Sequence, residues 1–118
     1  MGWDEIRELA AQGIKFGSHT VSHPNLAKIS PTEVVREAIR ARMILERELG
    51  IPVHSIAYPH GGEDQVVRHL IGGCGYRYGF TTTPGRVGMW EPLLALPRIE
   101  VSGAADLEDF ILNLTLPE

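Results

Sequence analysis

Hydrophobic and polar positions along the chain repeat with two different periods. Over residues 3–11 and 31–49, apolar side chains return every three or four positions, which is the spacing of one helix face and predicts two helices. The segment Ser30-Pro31-Thr32-Glu33 opens the second helix with a serine N-cap, a proline in the first turn and a glutamate at the third position, and Gly50 follows its predicted end. Shorter helices are predicted over residues 64–71 and 106–114.

Short apolar runs rich in β-branched and aromatic residues lie between these helices. They predict strands over residues 14–17, 53–58, 78–82 and 96–101, with a turn at residues 83–85. Strand followed by helix, repeated, is typical of parallel βα units, so we expect an α/β fold in one small domain over residues 1–118. In such folds the chemistry lies on loops that follow the carboxyl ends of the strands.

Composition narrows the classes of function. The net charge is −4, so no basic surface is expected to bind nucleic acid. No apolar run approaches the roughly 20 residues that a membrane span needs, and the first residues lack the pattern of a signal peptide. The single cysteine, Cys74, lies between two glycines and is interpreted as a small packing residue. The cellular compartment stays open.

Two histidines four positions apart, His19 and His23, are the first candidates for chemistry. Neutral imidazole is a common ligand of zinc and related ions, and one helical turn would bring the two rings onto the same ion. Pro24 disfavours the helical region at His23, so that turn should stop there. The spacing alone fits satisfied structural histidines equally well, and both readings stay open at this point.

The segment Ala57-Tyr58-Pro59-His60-Gly61-Gly62 is the second candidate, because proline and two glycines after a predicted strand indicate a defined turn. A turn of this kind can aim a backbone N–H at a developing oxyanion, although an ordinary turn at the end of a strand has the same composition. Trp90, in a predicted loop, either stacks on a sugar ring or covers the core. His54 and His69 are interpreted as structural or solvated, and Arg42 either extends along the edge of the core or is a buried partner for a carboxylate.

These residues resemble a known family. Ser18-His19-Thr20-Val21-Ser22-His23-Pro24 is similar, position by position, to the metal-binding motif of the polysaccharide deacetylases, and residues 58–61 resemble the motif that forms one wall of their groove. Residues 81–86 and 96–99 resemble later parts of the same domain. The resemblance spans nearly all of the chain but only the later part of the family's domain.

The resemblance implies an irregular (β/α) barrel, represented here without its first strand or strands. It implies a divalent ion, most often zinc, held by an aspartate and by two histidines that correspond to His19 and His23. The backbone N–H of His60 would donate to the oxyanion, and Tyr58, Pro59 and Trp90 are candidates for contacting an N-acetylated polysaccharide or oligosaccharide, from which acetate is released.

Differences between this chain and the family pattern suggest an alternative to an active deacetylase. The motif that supplies the metal aspartate and the catalytic base is not recognised in these 118 residues, and Ala57 stands where an arginine often orients that base. We therefore also consider a non-catalytic metal-binding or structural remnant of the domain. An absent first strand would expose a sheet edge, so a homo-oligomer is expected.

Overall fold

A computed structural model describes residues 2–85 and 92–98 of the chain. Three α-helices form: α1 (Trp3–Ala11), α2 (Pro31–Leu49) and α3 (Gln65–Gly73). Two short 3-10 helices cover Leu26–Lys28 and Pro59–Gly61. Three strands complete the fold: β1 (Ser55–Ala57), β2 (Tyr78–Pro84) and β3 (Leu96–Arg98).

The predicted ends of α2 are confirmed by its capping contacts. The Ser30 hydroxyl accepts a hydrogen bond from the Glu33 N–H at 3.3 Å, which satisfies one of the unpaired donors of the first turn. At the other end Gly50 adopts a left-handed conformation, with φ 70°, and its N–H bonds the Glu46 carbonyl at 2.8 Å. The helix therefore begins and ends where serine and glycine are placed in the sequence.

The three strands form a parallel sheet in the order β1-β2-β3, as the alternation of strands and helices predicted. Ser18 extends the sheet beyond β1 through a single parallel bridge to Ile56. Two backbone hydrogen bonds of 2.8 Å make this bridge, from the Ser18 N–H to the Ser55 carbonyl and from the Ala57 N–H to the Ser18 carbonyl. The peptide that leads into the two histidines is thus attached to the edge of the sheet.

The strand predicted over residues 53–58 is shorter, at Ser55–Ala57, and two further predictions differ more from the structure. Residues 14–17 form no strand, because the Ile14 N–H bonds back to the Leu9 carbonyl at 3.1 Å and the chain reaches the sheet only at Ser18. The turn expected at residues 83–85 is wrong for its first two residues, since β2 continues through Pro84, which pairs with Arg98 through a bond from the Gly85 N–H to the Arg98 carbonyl. The predictions over residues 99–101 and 106–114 lie outside the described residues.

The core lies between the sheet and helices α2 and α3. Its buried side chains come from α2, α3, β1 and the segments that connect these elements: Leu26, Val34, Ala38, Val53, Ile56, Tyr58, Val67, Ile71, Cys74 and Tyr76. This packing fixes α2 and the start of the 3-10 helix at Leu26, on either side of the histidine segment. None of the helices in the described ranges combines the length and apolar character required to cross a membrane.

Arg42 joins the two packed helices. Its guanidinium donates to the Cys74 carbonyl at 2.6 Å and pairs with Glu46 at 3.4 Å, while Glu46 accepts from the Val53 N–H at 2.7 Å. The side chain is about a quarter exposed, so Arg42 lies at the edge of the core, and its carboxylate partner Glu46 is exposed to a similar extent. Arg42 therefore connects α2, α3 and the approach to β1.

Candidate metal site

The loop from Thr20 to His23 is held by side-chain oxygens. The Thr20 N–H donates to the Ser18 hydroxyl at 3.3 Å, and the His23 N–H donates to the Thr20 hydroxyl at 3.2 Å. The N–H groups of Val21 and Ser22 both donate to one carboxylate oxygen of Glu37, on α2, at 3.1 and 3.3 Å. Each of four successive backbone donors therefore has a side-chain acceptor.

The expected helical turn between the two histidines is wrong. Thr20 and His23 both adopt left-handed conformations, with φ 66° and 61°, which non-glycine residues seldom occupy. The serine and threonine hydroxyls bond nearby N–H groups and so compete with helical hydrogen bonding, and Pro24 disfavours the right-handed helical region at His23. The rings converge through this turn rather than through helical spacing.

His19 is oriented by the neighbouring strand. Its Nδ1 lies 2.8 Å from the Ala57 carbonyl at the end of β1. Because a carbonyl oxygen only accepts, Nδ1 must carry the proton, which leaves Nε2 of a neutral ring with its lone pair available. A histidine that donates one N–H to a carbonyl while the other nitrogen is free is the usual arrangement of a metal ligand.

Three imidazoles lie in edge-to-face contact. The ring centroids of His19 and His23 are 4.8 Å apart, and those of His23 and His60 are 4.6 Å apart. Ser18 pairs in parallel with β1, and His60 follows β1. The histidine loop and the turn that carries His60 therefore both start at the carboxyl end of the sheet. The family resemblance implied a role for the backbone of His60 and none for its ring. The sequence feature that could have indicated a role for the ring is its position just after β1, the strand that pairs with the residue before His19.

The turn at residues 58–62 brings the ring of His60 next to His23, while the first two side chains of the turn are buried. His60 is left-handed, with φ 59°, and within residues 2–85 and 92–98 its N–H has no acceptor. Tyr58 is only 1% exposed and donates its hydroxyl to the Leu94 carbonyl at 2.6 Å, and burial raises its pKa well above the ordinary range. Pro59 is fully buried. Trp90 lies outside the described residues.

The donor set that the described residues supply is incomplete. His19 and His23 are chemically suited to a divalent ion, but no group of three or more histidine, cysteine or acidic side chains in the described part of the chain is arranged to hold one. His54 lies just before β1, and His69 is exposed on α3, so neither joins the cluster. His19 and His23 are therefore two candidate ligands among the described residues, and the identity of any others stays a prediction.

A cleft of about 290 Å³ lies beside His19, between the histidine loop and helices α1 and α2. Most of its lining is apolar, and the residues are Trp3, Gly17, His19, Thr20, Val21, Ala41, Ile44 and Leu45. His19 therefore has a neighbouring ring on one side and an open apolar cleft on the other.

Comparisons with known proteins agree with these features. A family model described as polysaccharide deacetylase matches residues 1–79, two thirds of the chain. The structure is similar to the deacetylase PplD of Streptococcus pyogenes, solved with acetate (TM-score 0.93, 26% identity, 98% of this chain and 51% of that one). It is also similar to BC0361, a polysaccharide deacetylase of Bacillus cereus (TM-score 0.88, 30% identity, 98% and 37%).

A sequence relative points the same way. The chain is 38% identical over 56 residues to a peptidoglycan-N-acetylglucosamine deacetylase of Bacillus cereus, a match that covers 48% of this chain and 20% of the relative. Together the matches confirm the predicted family and fold class. The chain spans about half the length of the streptococcal protein and less of the others, as expected for part of the domain.

Proposed function

Because the chain belongs to the polysaccharide deacetylase family, we propose that it supplies part of the active site of a metal-dependent hydrolase that removes N-acetyl groups from a polysaccharide. The observation that carries the proposal is the bond from His19 Nδ1 to the Ala57 carbonyl, 2.8 Å long, beside the ring of His23. A structural loop histidine needs no second imidazole beside it, whereas a pair of metal ligands does, and the ring centroids of His19 and His23 are 4.8 Å apart.

In this proposal His19 and His23 hold a divalent ion, and zinc is the first choice because imidazole suits it. Cobalt, nickel and iron bind the same donors and remain alternatives. When bound, the ion would polarise an acetamide carbonyl and lower the pKa of a bound water. The chain's contribution is to hold one ring nitrogen of His19 and one of His23 in position before the ion binds.

His60 is proposed to act through its backbone. Its N–H has no acceptor among the described residues and its ring contacts His23, which supports a role for this N–H as donor to the oxygen of a reacting carbonyl. The left-handed conformation at His60 fixes the direction of this donor. No carboxylate of the described residues is assigned as the catalytic base.

The proposed substrate is an N-acetylated polysaccharide such as peptidoglycan or chitin, and the products are acetate and a free amine on the sugar. The exposed imidazole of His60 offers a polar surface beside the two ligands. Tyr58 and Pro59 are buried, so in this structure they support the turn and have almost no surface for a sugar. A contact between a sugar and Trp90 stays a prediction.

Metal analysis of the purified chain tests the proposal. We expect about one zinc ion per chain in the wild type, and its loss in His19→Ala and His23→Ala, because two imidazoles are the ligands available. His69→Ala is the matched control, since that ring is exposed on α3 and should leave the zinc content unchanged. A wild type that stays metal-free in micromolar zinc, or a His19→Ala variant that retains zinc, would contradict it.

Release of acetate from acetylated chitooligosaccharides or peptidoglycan fragments then tests activity.

Self-association is the companion proposal. Within the described residues, the backbone N–H groups of Gly17 and His19 have no acceptor, and they flank the Ser18 bridge at the edge of the sheet. Unpaired groups at a sheet edge can pair with a second copy of the chain. Sedimentation of the chain over a range of concentrations should show a dimer or larger species, and a monomer throughout would argue against it.

A further inference from the structure

Glu37 is the residue outside the histidine motif that is most directly bonded to it. One carboxylate oxygen accepts from the Val21 and Ser22 N–H groups at 3.1 and 3.3 Å, and the other accepts from the Ser22 hydroxyl. Three donors from the peptide between His19 and His23 therefore converge on one side chain. Both oxygens are occupied by these donors, so Glu37 is not offered as a metal ligand.

The carboxylate is presented from a rigid element. Glu37 lies on α2 between Val34 and Ala38, which are 1% and 0% exposed and anchor the helix in the core. A helix fixed in this way can hold an attached loop in one position. By contrast, Val21 is half exposed, and the loop has little packing of its own.

We propose that Glu37 is a positioning residue, which fixes the peptide between His19 and His23 so that both rings are held ready for an ion. The left-handed conformations at Thr20 and His23 each cost about 1 kcal/mol or more and persist only when surrounding contacts hold them. Hydrogen bonds to an ionised carboxylate are roughly twice as strong as neutral ones, so Glu37 is the strongest of these contacts. The metal-binding part of the proposal rests on the proposed function.

Amide hydrogen exchange in the metal-free chain tests the positioning role without any metal. In Glu37→Ala we expect the Val21 and Ser22 amides to exchange at least about tenfold faster, because their acceptor is gone. Glu37→Gln keeps one oxygen for the two N–H groups and should give an intermediate rate. Glu33→Ala is the matched control, since Glu33 lies one turn earlier on α2 and pairs with Arg36. Equal rates at Val21 and Ser22 in Glu37→Ala and wild type would overturn the proposal.

Zinc affinity, measured by competition with a chromophoric chelator, supplies the second readout. Groups that orient metal ligands typically contribute about 10- to 100-fold to affinity, so Glu37→Ala should raise the dissociation constant by about tenfold or more, and Glu37→Gln by less. Ser22→Ala should have a smaller effect, and the double variant should bind no more weakly than Glu37→Ala, because the Ser22 hydroxyl acts through Glu37.

The two readouts separate the proposals. An unchanged zinc dissociation constant in Glu37→Ala, alongside zinc binding by the wild type, would overturn the positioning role. A wild type without zinc would instead overturn the proposed function, and the amide exchange rates would still decide whether Glu37 holds the loop.

Discussion

Gly62 marks the place where the two loops of the candidate site touch. A methyl group built on Gly62 would collide with the side-chain amide of Asn25, which follows the histidine loop directly. The Gly62 backbone itself, with φ −71°, is open to any residue. The requirement for glycine is therefore one of space, and it keeps the turn at residues 58–62 close to the segment that carries His23.

Replacing Gly62 by alanine should lower the free energy of unfolding by about 1 kcal/mol. The added methyl must displace Asn25, whose Oδ1 accepts from the Ala27 N–H at 3.1 Å and caps the 3-10 helix there. Urea denaturation measures the change. Gly73→Ala is the control with the opposite sign: it lies in α3 with no atom within 4 Å of the new methyl, so a gain of about 0.5 kcal/mol is expected. Equal stability of Gly62→Ala and wild type would contradict the prediction.

At the scale of single residues, the sequence pointed to the proposed ligands more clearly than to the residue that holds their loop. His19 and His23 were recognisable because Ser18, Thr20 and Pro24 stand at fixed positions around them. Glu37 is 15 positions from Ser22, and in the sequence it is one of four acidic residues on a predicted helix. Its role depends on where α2 packs, which local spacing does not encode.

Among the elements, α2 has the largest influence on the candidate site. It presents Glu37 to the histidine loop, contributes Val34 and Ala38 to the core and lines the cleft beside His19 through Ala41, Ile44 and Leu45. Its first turn, next to the loop, is fixed by the Ser30 cap. Fraying of that turn would make the part of α2 that carries Glu37 less rigid and so weaken its hold on the histidine loop.

Ser30→Ala should lower the free energy of unfolding by about 1 kcal/mol, because the Glu33 N–H loses its acceptor. Ser30→Asp should restore most of the loss, since aspartate caps helices as well as serine and adds a favourable charge at the N-terminus. Thermal unfolding followed by circular dichroism compares the three proteins. If Ser30→Asp is no more stable than Ser30→Ala, the cap is not the source of the effect.

Element prediction succeeded where the signals were local. The serine cap and the glycine stop defined α2, whereas the stretch at residues 14–17 looked like a strand because it is short and apolar. Its pairing is decided by a distant contact, the bridge from Ser18 to Ile56, and by the bond that draws Ile14 back to α1. Pairing of strands far apart in sequence is a tertiary property, so the strand was placed a few residues too early.

At the scale of the molecule, three buried groups of the described residues make the stability of the fold depend on alkaline pH. Burial is the main cause that raises the pKa of Tyr58, Cys74 and Tyr76, because each would have to ionise inside the core. Glu63 raises the pKa of Tyr58 further, while Arg42 partly offsets the effect of burial at Cys74. The unfolded chain should ionise these groups at their ordinary values, about 8.5 for cysteine and about 10 for tyrosine.

Stability should therefore be level from neutral pH to about pH 8.5 and fall above it. In that range the unfolded chain releases protons that the folded chain keeps, which favours unfolding as the pH rises. Urea denaturation at a series of pH values measures the decline. Tyr58→Phe should be about 1 kcal/mol less stable near neutral pH, since the Leu94 carbonyl loses its partner, yet its decline with pH should be shallower. Tyr78→Phe, at an exposed position, should follow the wild type, and a Tyr58→Phe variant with the wild-type slope would show that burial of Tyr58 does not set the alkaline limit.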